Sequence, residues 1–207
     1  MSRAAFPMRG LYLITPDHDD SDALLAQVTP LLPHAACLQY RNKRADATQR
    51  LREAHALRAA CRAAGVFFIV NDDADLALAA DADGVHLGDA DGGIEAARAL
   101  LGDRRAIGIS CYDDIERARQ AAQRGADYIA FGALFASSTK PNARRATPAL
   151  FAEAKPLGLP MVAIGGITPD NTPIALAAGA DLVAVIAGVF AAPDPLAAAR
   201  AYTAAFV

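Results

Sequence analysis

The residues with the most chemistry in this chain fall at the ends of short apolar runs. Gln39-Tyr40-Arg41-Asn42-Lys43 follows one of them. Side chains alternate along an extended segment, so Gln39, Arg41 and Lys43 share a face, and an arginine fork beside a lysine point charge suits phosphate oxygens. The same charges also fit a plain solvated loop. Asn71-Asp72 closes a second run, and His86-Leu87-Gly88-Asp89-Ala90-Asp91 ends a third. Carboxylates at neighbouring strand tips can share Mg²⁺, which takes one or two protein carboxylates and completes its shell with water and phosphate. Asp72 and Asp91 are the candidate ligands, each with a competing reading: Asp72 or Asp73 as the cap of a helix starting near Ala74, and Asp91 as the cap of one starting near Ile94. His86 lies inside its run and reads as a hydrogen-bonded interior residue rather than a metal ligand.

Further along, Ser110 has no G-x-S-x-G elbow around it, which favours a hydrogen-bonding role over that of a nucleophile. Its neighbour Cys111 reads as a small buried apolar residue. Ser137-Ser138-Thr139-Lys140 offers short hydroxyl donors and one mobile charge to an anion, or is simply a polar loop. Gly165-Gly166 and Gly188, after the last two runs, allow backbone N–H groups to approach a phosphate closely.

These residues need elements to hold them. Runs of strand length recur eight times, at Leu11–Ile14, Cys37–Tyr40, Val66–Val70, Gly84–Leu87, Ala106–Ile109, Tyr128–Gly132, Met161–Ile164 and Leu182–Ile186. Between them lie segments such as Ala45–Ala64, Gly93–Leu101 and Ile115–Arg124, rich in Ala, Leu, Arg and Glu with apolar residues three and four apart, which predict helices. Gly65, Gly125 and Gly179 suit left-handed helix ends. A weak repeat, Ala82-Asp83, Ala126-Asp127 and Ala180-Asp181, joins helix ends to strand starts. Strands that alternate with helices pair in parallel, and eight such units predict an α/β fold, a single-domain (β/α)8 TIM barrel over residues 1–207. An open doubly wound sheet would carry a Gly-rich turn after its first strand, where this chain has Thr15-Pro16-Asp17.

Composition narrows the function. Hydrophobic residues make up 54%, but 51 are alanine, so large apolar side chains are ordinary in number. Uncharged stretches such as Pro156–Pro169, 14 residues broken by proline and glycine, do not fit a bilayer span. Met1–Arg9 lacks an apolar signal core. With 20 Lys plus Arg against 23 Asp plus Glu, a net charge of −3 supplies no basic field for nucleic acid. Three cysteines without C-x-x-C spacing indicate neither a disulfide framework nor a zinc site, and a reducing cytoplasm is expected. No membrane or nucleic-acid partner is expected; the oligomeric state stays open, a homo-oligomer included.

Taken together, Gln39-x-Arg41-x-Lys43, Asn71-Asp72, Gly84-Val85-His86-Leu87-Gly88 with Asp91, Gly108-Ile109-Ser110, Ser137-Ser138-Thr139-Lys140 and Ala163-Ile164-Gly165-Gly166-Ile167 resemble the thiamine-phosphate synthase family in order and spacing, from Leu11 to Phe190. The resemblance implies a Mg²⁺-dependent transferase on a (β/α)8 barrel. It joins 4-amino-2-methyl-5-hydroxymethylpyrimidine diphosphate to a thiazole phosphate and releases pyrophosphate. By the same resemblance Gln39, Tyr40, Arg41, Asn42, Lys43, Asn71 and Lys140 bind the pyrimidine diphosphate, and Asp72 and Asp91 hold Mg²⁺. Ser110 sits by the pyrimidine, while Ser137, Ser138, Thr139, Gly165, Gly166 and the Ile186-Ala187 turn take the thiazole phosphate. Arg41, Lys43, Lys140 and Ser110 carry the catalytic roles.

The chain departs from the family pattern at Ala136-Ser137, where many members have the Pro-Thr of Pro-Thr-x-Thr-Lys, at Ala187, where a Ser is usual, and at Asp89, where Gln is usual; Ser137 keeps the hydroxyl. Ala187 leaves only a backbone N–H at its position. Two other readings fit the same barrel: a thiazole tautomerase, which has no reason to keep Asp72, Asp91, Arg41 and Lys140 together, and a non-catalytic phosphate-binding barrel.

Overall fold

The computed structural model describes residues 6–89, 91–136 and 145–206. Eight parallel strands close a barrel in chain order: β1 (Gly10–Ile14), β2 (Cys37–Tyr40), β3 (Phe67–Asn71), β4 (Gly84–Leu87), β5 (Ala106–Tyr112), β6 (Tyr128–Gly132), β7 (Met161–Ile164) and β8 (Leu182–Val185). Helices α1 (Ser21–Val28), α2 (Ala47–Ala64), α3 (Ala74–Ala79), α4 (Ile94–Leu101), α5 (Ile115–Gln123), α6 (Pro148–Ala154), α7 (Thr172–Ala178), α8 (Ala187–Phe190) and α9 (Pro195–Thr203) follow the strands. The predicted barrel is the fold observed. None of these helices is long and apolar enough to cross a membrane.

Local chemistry explains where the helices begin. Side chains of Asp20, Asp46, Asp73, Asp114 and Asp194 accept hydrogen bonds from the first-turn N–H groups of α1, α2, α3, α5 and α9. Helices α2 and α7 end on Gly65 and Gly179 in left-handed geometry. Helix α5 ends on Arg124, one residue before the predicted Gly125, which itself has φ +85°.

Alternation along the strands sorts the apolar residues into two cores. Leu11, Leu13, Leu38, Phe68, Val70, Val85, Ile107, Ile129, Phe131 and Val183 face outward against the helices. Tyr12, Ile14, Cys37, Ile69, Tyr128, Ala130, Val162, Leu182 and Ala184 fill the interior. Phe6 plugs the lower end, its ring stacked on Tyr128 with centroids 3.8 Å apart. Full burial of a ring such as Phe68 or Phe131 contributes about 1.5–3 kcal/mol.

The Ala-Asp repeat has a structural reason. Asp83 accepts from the Phe68 N–H at 2.9 Å, Asp127 from the Ile107 N–H at 2.8 Å and Asp181 from the Met161 N–H at 2.8 Å. Each repeat therefore ties the start of an even-numbered strand to the strand before it. Arginines reinforce two of these ties, Arg58 on Asp83 at 3.0 Å and Arg98 on Asp127 at 2.6 Å.

Strand β5 runs three residues past its predicted end. Its pairing with β6 shifts register between Ser110 and Tyr112, and Tyr112 takes φ +53°. Such a bulge ends regular pairing while keeping the chain extended beside the barrel mouth. Cys111 points into the outer core and is fully buried, as its sequence context predicts.

Candidate active site

The strand ends converge on a cavity of about 390 Å³ at the C-terminal mouth. Its wall divides in two. Strands β2 to β5 present Gln39, Asn71, His86 and Ser110, one polar residue per strand, whereas β6, β7, β8 and β1 present Ala130, Val162, Ile164, Ala184 and Ile14. Period-two alternation puts these residues inward, because each lies an even number of positions from an interior-core residue of its own or a paired strand.

Tyr12 of β1 and Tyr128 of β6 join the polar residues of β2 to β5 into one hydrogen-bonded chain. Ser110 Oγ lies 2.8 Å from His86 Nε2, and His86 Nδ1 lies 2.9 Å from Tyr128 Oη. Tyr128 Oη is 2.9 Å from Tyr12 Oη, which donates to Gln39 Oε1 at 2.9 Å. Gln39 Nε2 donates to Asn71 Oδ1 at 2.5 Å. Burial pushes the His86 imidazole down to about 4, against a weaker upward pull from Asp91, so the ring is neutral at neutral pH.

Outside this cavity lies a second groove of about 610 Å³, lined by residues of α2, α3 and α4. Arg41, Lys43, Asn71, Asp72 and Asp91 line both spaces, so two cations and two carboxylates form a charged waist between them. Lys43 Nζ is 3.5 Å from Asp72. Arg41 is paired to Asp17 at 2.8 Å, and the same carboxylate oxygen accepts from the Lys43 N–H at 2.7 Å.

The competing cap readings are settled by geometry. Asp73 caps α3, which leaves Asp72 free of that role with φ +64°. Gly93 occupies the cap position of α4, while Asp91 accepts from the Gly88 N–H at 2.7 Å. The Asp72 carboxyl is raised above its ordinary range, first by burial and then by the hydrogen bond and charge of Asp91, against the opposing pull of Lys43. Two carboxyls pressed together in this way are a donor pair that a divalent cation relieves, and two suffice for Mg²⁺ when phosphate and water complete its shell. The residues present therefore fit Mg²⁺. Among the described residues no group of three or more His, Cys, Asp or Glu converges.

Not every candidate faces the cavity. Tyr40 and Asn42 turn outward to the buried carboxylate of Glu53, which accepts from Tyr40 Oη at 2.6 Å, Asn42 Nδ2 at 3.0 Å, Ser21 Oγ at 2.7 Å and Gln49 Nε2 at 2.8 Å. Burial alone would raise Glu53; these donors outweigh it and hold the carboxyl below its ordinary range. Glu53 thus anchors the segment that carries Arg41 and Lys43. Thr15 anchors it from the other side, exchanging hydrogen bonds with the Arg41 backbone at 2.7 and 2.8 Å.

Gly165 and Gly166 have φ +94° and +65°, and a Cβ at Gly166 would fall 2.4 Å from the Ala136 carbonyl oxygen. Gly188 is needed by Tyr202, whose hydroxyl would lie 2.2 Å from a Cβ there. The glycines thus answer to close packing of neighbouring segments. Ile186 lines the cavity and Ala187 opens α8. Ser137, Ser138, Thr139 and Lys140 lie outside the described residues. Asp89, the departure from the family pattern, pairs with Arg117, which also stacks over Tyr112 at 5.5 Å.

Sequence reasoning missed Tyr12, Tyr128, Asp17 and Glu53. The alternation that places Gln39 inward also places Tyr12 and Tyr128 inward, and a phenol inside a barrel needs a polar partner. Glu53 gave no such signal, since it sits among the ordinary charges of α2.

The family model described as thiamine monophosphate synthase matches residues 11–189. A thiamine-phosphate synthase of Xanthomonas campestris is 63% identical over 198 residues, covering 96% of each chain. One from Azoarcus sp. is 58% identical over 201 residues, 96% of this chain and 98% of the relative. Among solved structures, a thiamine phosphate pyrophosphorylase from Pyrococcus furiosus superposes with a TM-score of 0.85 at 32% identity, covering 96% of this chain and 95% of that one. A 3-hexulose-6-phosphate synthase structure, at 19% identity and a TM-score of 0.68, shares the fold. The matched span runs from β1 to α8 and includes every residue of the cavity and its charged waist, so the chain belongs to the thiamine monophosphate synthase family.

Proposed function

We propose that this barrel is a thiamine-phosphate synthase, a transferase that joins 4-amino-2-methyl-5-hydroxymethylpyrimidine diphosphate to a thiazole phosphate, with residues 1–207 acting as one catalytic unit. The observation that carries the reading is the charged waist above a cavity that is half polar and half apolar. A flat heterocycle fits below, with its hydrogen-bonding edge on Gln39, Asn71 and Ser110, and its diphosphate lies at Arg41 and Lys43. By the resemblance in sequence, Lys140 is assigned to the same diphosphate and the hydroxyls of Ser137, Ser138 and Thr139 to the thiazole phosphate.

In the reaction the bond between the exocyclic methylene carbon and the diphosphate oxygen breaks, and the oxygen keeps the electron pair. The electron-rich aminopyrimidine stabilises the resulting carbocation, and the thiazole nitrogen lone pair closes the new carbon–nitrogen bond. Arg41, Lys43 and Lys140 neutralise the charge growing on pyrophosphate, and the cavity walls align the rings. No nucleophile or strong base is needed, consistent with a neutral His86 and with a Ser110 that is only hydrogen-bonded. Mg²⁺ held by Asp72 and Asp91 would supply further charge neutralisation on the diphosphate oxygens.

Buried, unpaired Cys37, Cys61 and Cys111 suit a reducing cytoplasm. The test is pyrophosphate release when both substrates and Mg²⁺ are mixed with the protein. Thiamine phosphate formed in equal amount is expected; turnover of a thiazole carboxylate isomer without pyrophosphate would replace this reading with a tautomerase.

A further inference from the structure

The six-residue chain from Ser110 to Asn71 has a direction, and the direction has a consequence for substrate choice. The Asn71 amide turns its oxygen toward Gln39. Gln39 Nε2 then donates to that oxygen, which leaves Gln39 Oε1 to accept from Tyr12. A phenol has one proton. Tyr12 spends its own on Gln39, so its oxygen accepts from Tyr128, and Tyr128 in turn has nothing left to give to His86. His86 Nδ1 must therefore carry the proton, and its bare Nε2 must accept from Ser110.

We infer that Tyr12 and Tyr128 are positioning residues that lock His86 as the Nδ1–H tautomer, so that Ser110 presents only lone pairs to the cavity and selects a heterocycle bearing an amino group there. With the other tautomer, His86 Nε2–H would donate to Ser110, whose own proton would turn into the cavity and favour an oxo group. The two tyrosines thus set the hydrogen-bonding sense of a serine across the barrel interior. Their burial makes the setting firm, because an unmatched polar group at 0–1% exposure has no water to turn to. The inference concerns the amino-pyrimidine of the reaction proposed above and rests on that reading for its ligand, although the tautomer itself does not.

Two measurements test it. In the free wild-type protein, proton–nitrogen correlation spectra of labelled histidine, with His86 assigned by its loss in His86→Gln, should show Nδ1 protonated and Nε2 bare at neutral pH. Protonated Nε2 would overturn the inference. In Tyr128→Phe the ring stays but the acceptor for Nδ1–H is gone, so the tautomer should reverse. The preference for the 4-amino over the 4-oxo pyrimidine diphosphate, measured by competition, should then fall about 10- to 100-fold, with KM for thiazole phosphate unchanged. Tyr12→Phe, which removes the acceptor one step further on, should reverse the tautomer as well and serves if Tyr128→Phe does not fold. A reversed tautomer with an unchanged preference would equally overturn the link from tautomer to selection. Absence of pyrophosphate from the wild type would instead defeat the proposed reaction and leave the tautomer result standing.

Discussion

The ring of Tyr128 occupies the space that a side chain at Gly108 would need: a Cβ there falls 1.9 Å from Tyr128 Cζ and 2.4 Å from its hydroxyl oxygen. The glycine on β5 is thus the seat of the tyrosine on β6. Gly108→Ala should push the ring off its partners, lower stability by about 1–3 kcal/mol and reduce turnover. Urea denaturation and steady-state kinetics check this, and an alanine variant with unchanged values of both would refute the packing relationship.

Asp72→Asn and Asp91→Asn should each raise sharply the Mg²⁺ concentration needed for half-maximal rate, because each removes one of the two charges available to the ion. A Mg²⁺ titration of initial rates decides the matter; full activity of both variants in chelator would remove the metal assignment.

Lys140→Ala should slow single-turnover chemistry by roughly 10²- to 10³-fold with a smaller effect on binding, since the leaving group gains charge in the transition state. A binding defect with an unchanged rate at saturation would make Lys140 a ground-state contact only.

His86 links stability to pH. Its folded-state value near 4 lies below the ordinary 6.5, so between these values the unfolded chain binds more protons than the folded one. The stabilisation from keeping it neutral is complete above pH 6.5 and is lost as pH falls toward 4, about 3 kcal/mol in all. Urea midpoints from pH 7 to 4.5 should decline less steeply in His86→Gln. An equal decline would assign the acid sensitivity to other groups.

Asp127→Ala should cost about 2–4 kcal/mol by stranding the Ile107 N–H and the Arg98 guanidinium, while turnover at 25 °C is retained because the tie lies at the end of the barrel away from the cavity. Chemical denaturation beside an activity assay separates the two; lost activity in a folded variant would contradict this division of labour.

Strand positions were legible because each run is short, apolar and followed by helix-forming sequence, and every predicted run coincides with a strand to within a few residues. The charged waist was legible too, since Arg41, Lys43, Asp72 and Asp91 sit at strand ends, where this fold places chemistry. Tyr40 and Asn42 show the limit. Adjacent in sequence to Arg41, they face the opposite way, and what claims them is Glu53, a residue of α2 that no local pattern connects to β2. Asp17 was hidden for the same reason, as a turn residue whose partners Arg41 and Lys43 lie 24 and 26 positions away.

The Ala-Asp ties carry a kinetic meaning. They span 15, 20 and 20 residues, whereas the seam that closes the ring pairs Gly10 on β1 with Leu182 on β8. Short loops cost less entropy to close than long ones, so the pairs β3–β4, β5–β6 and β7–β8 are expected to form while the seam is still open. Substitutions at Asp83, Asp127 and Asp181 should then slow folding, and substitutions along β1 should chiefly speed unfolding. The repeat would be a set of early staples that prepare an open sheet for closure.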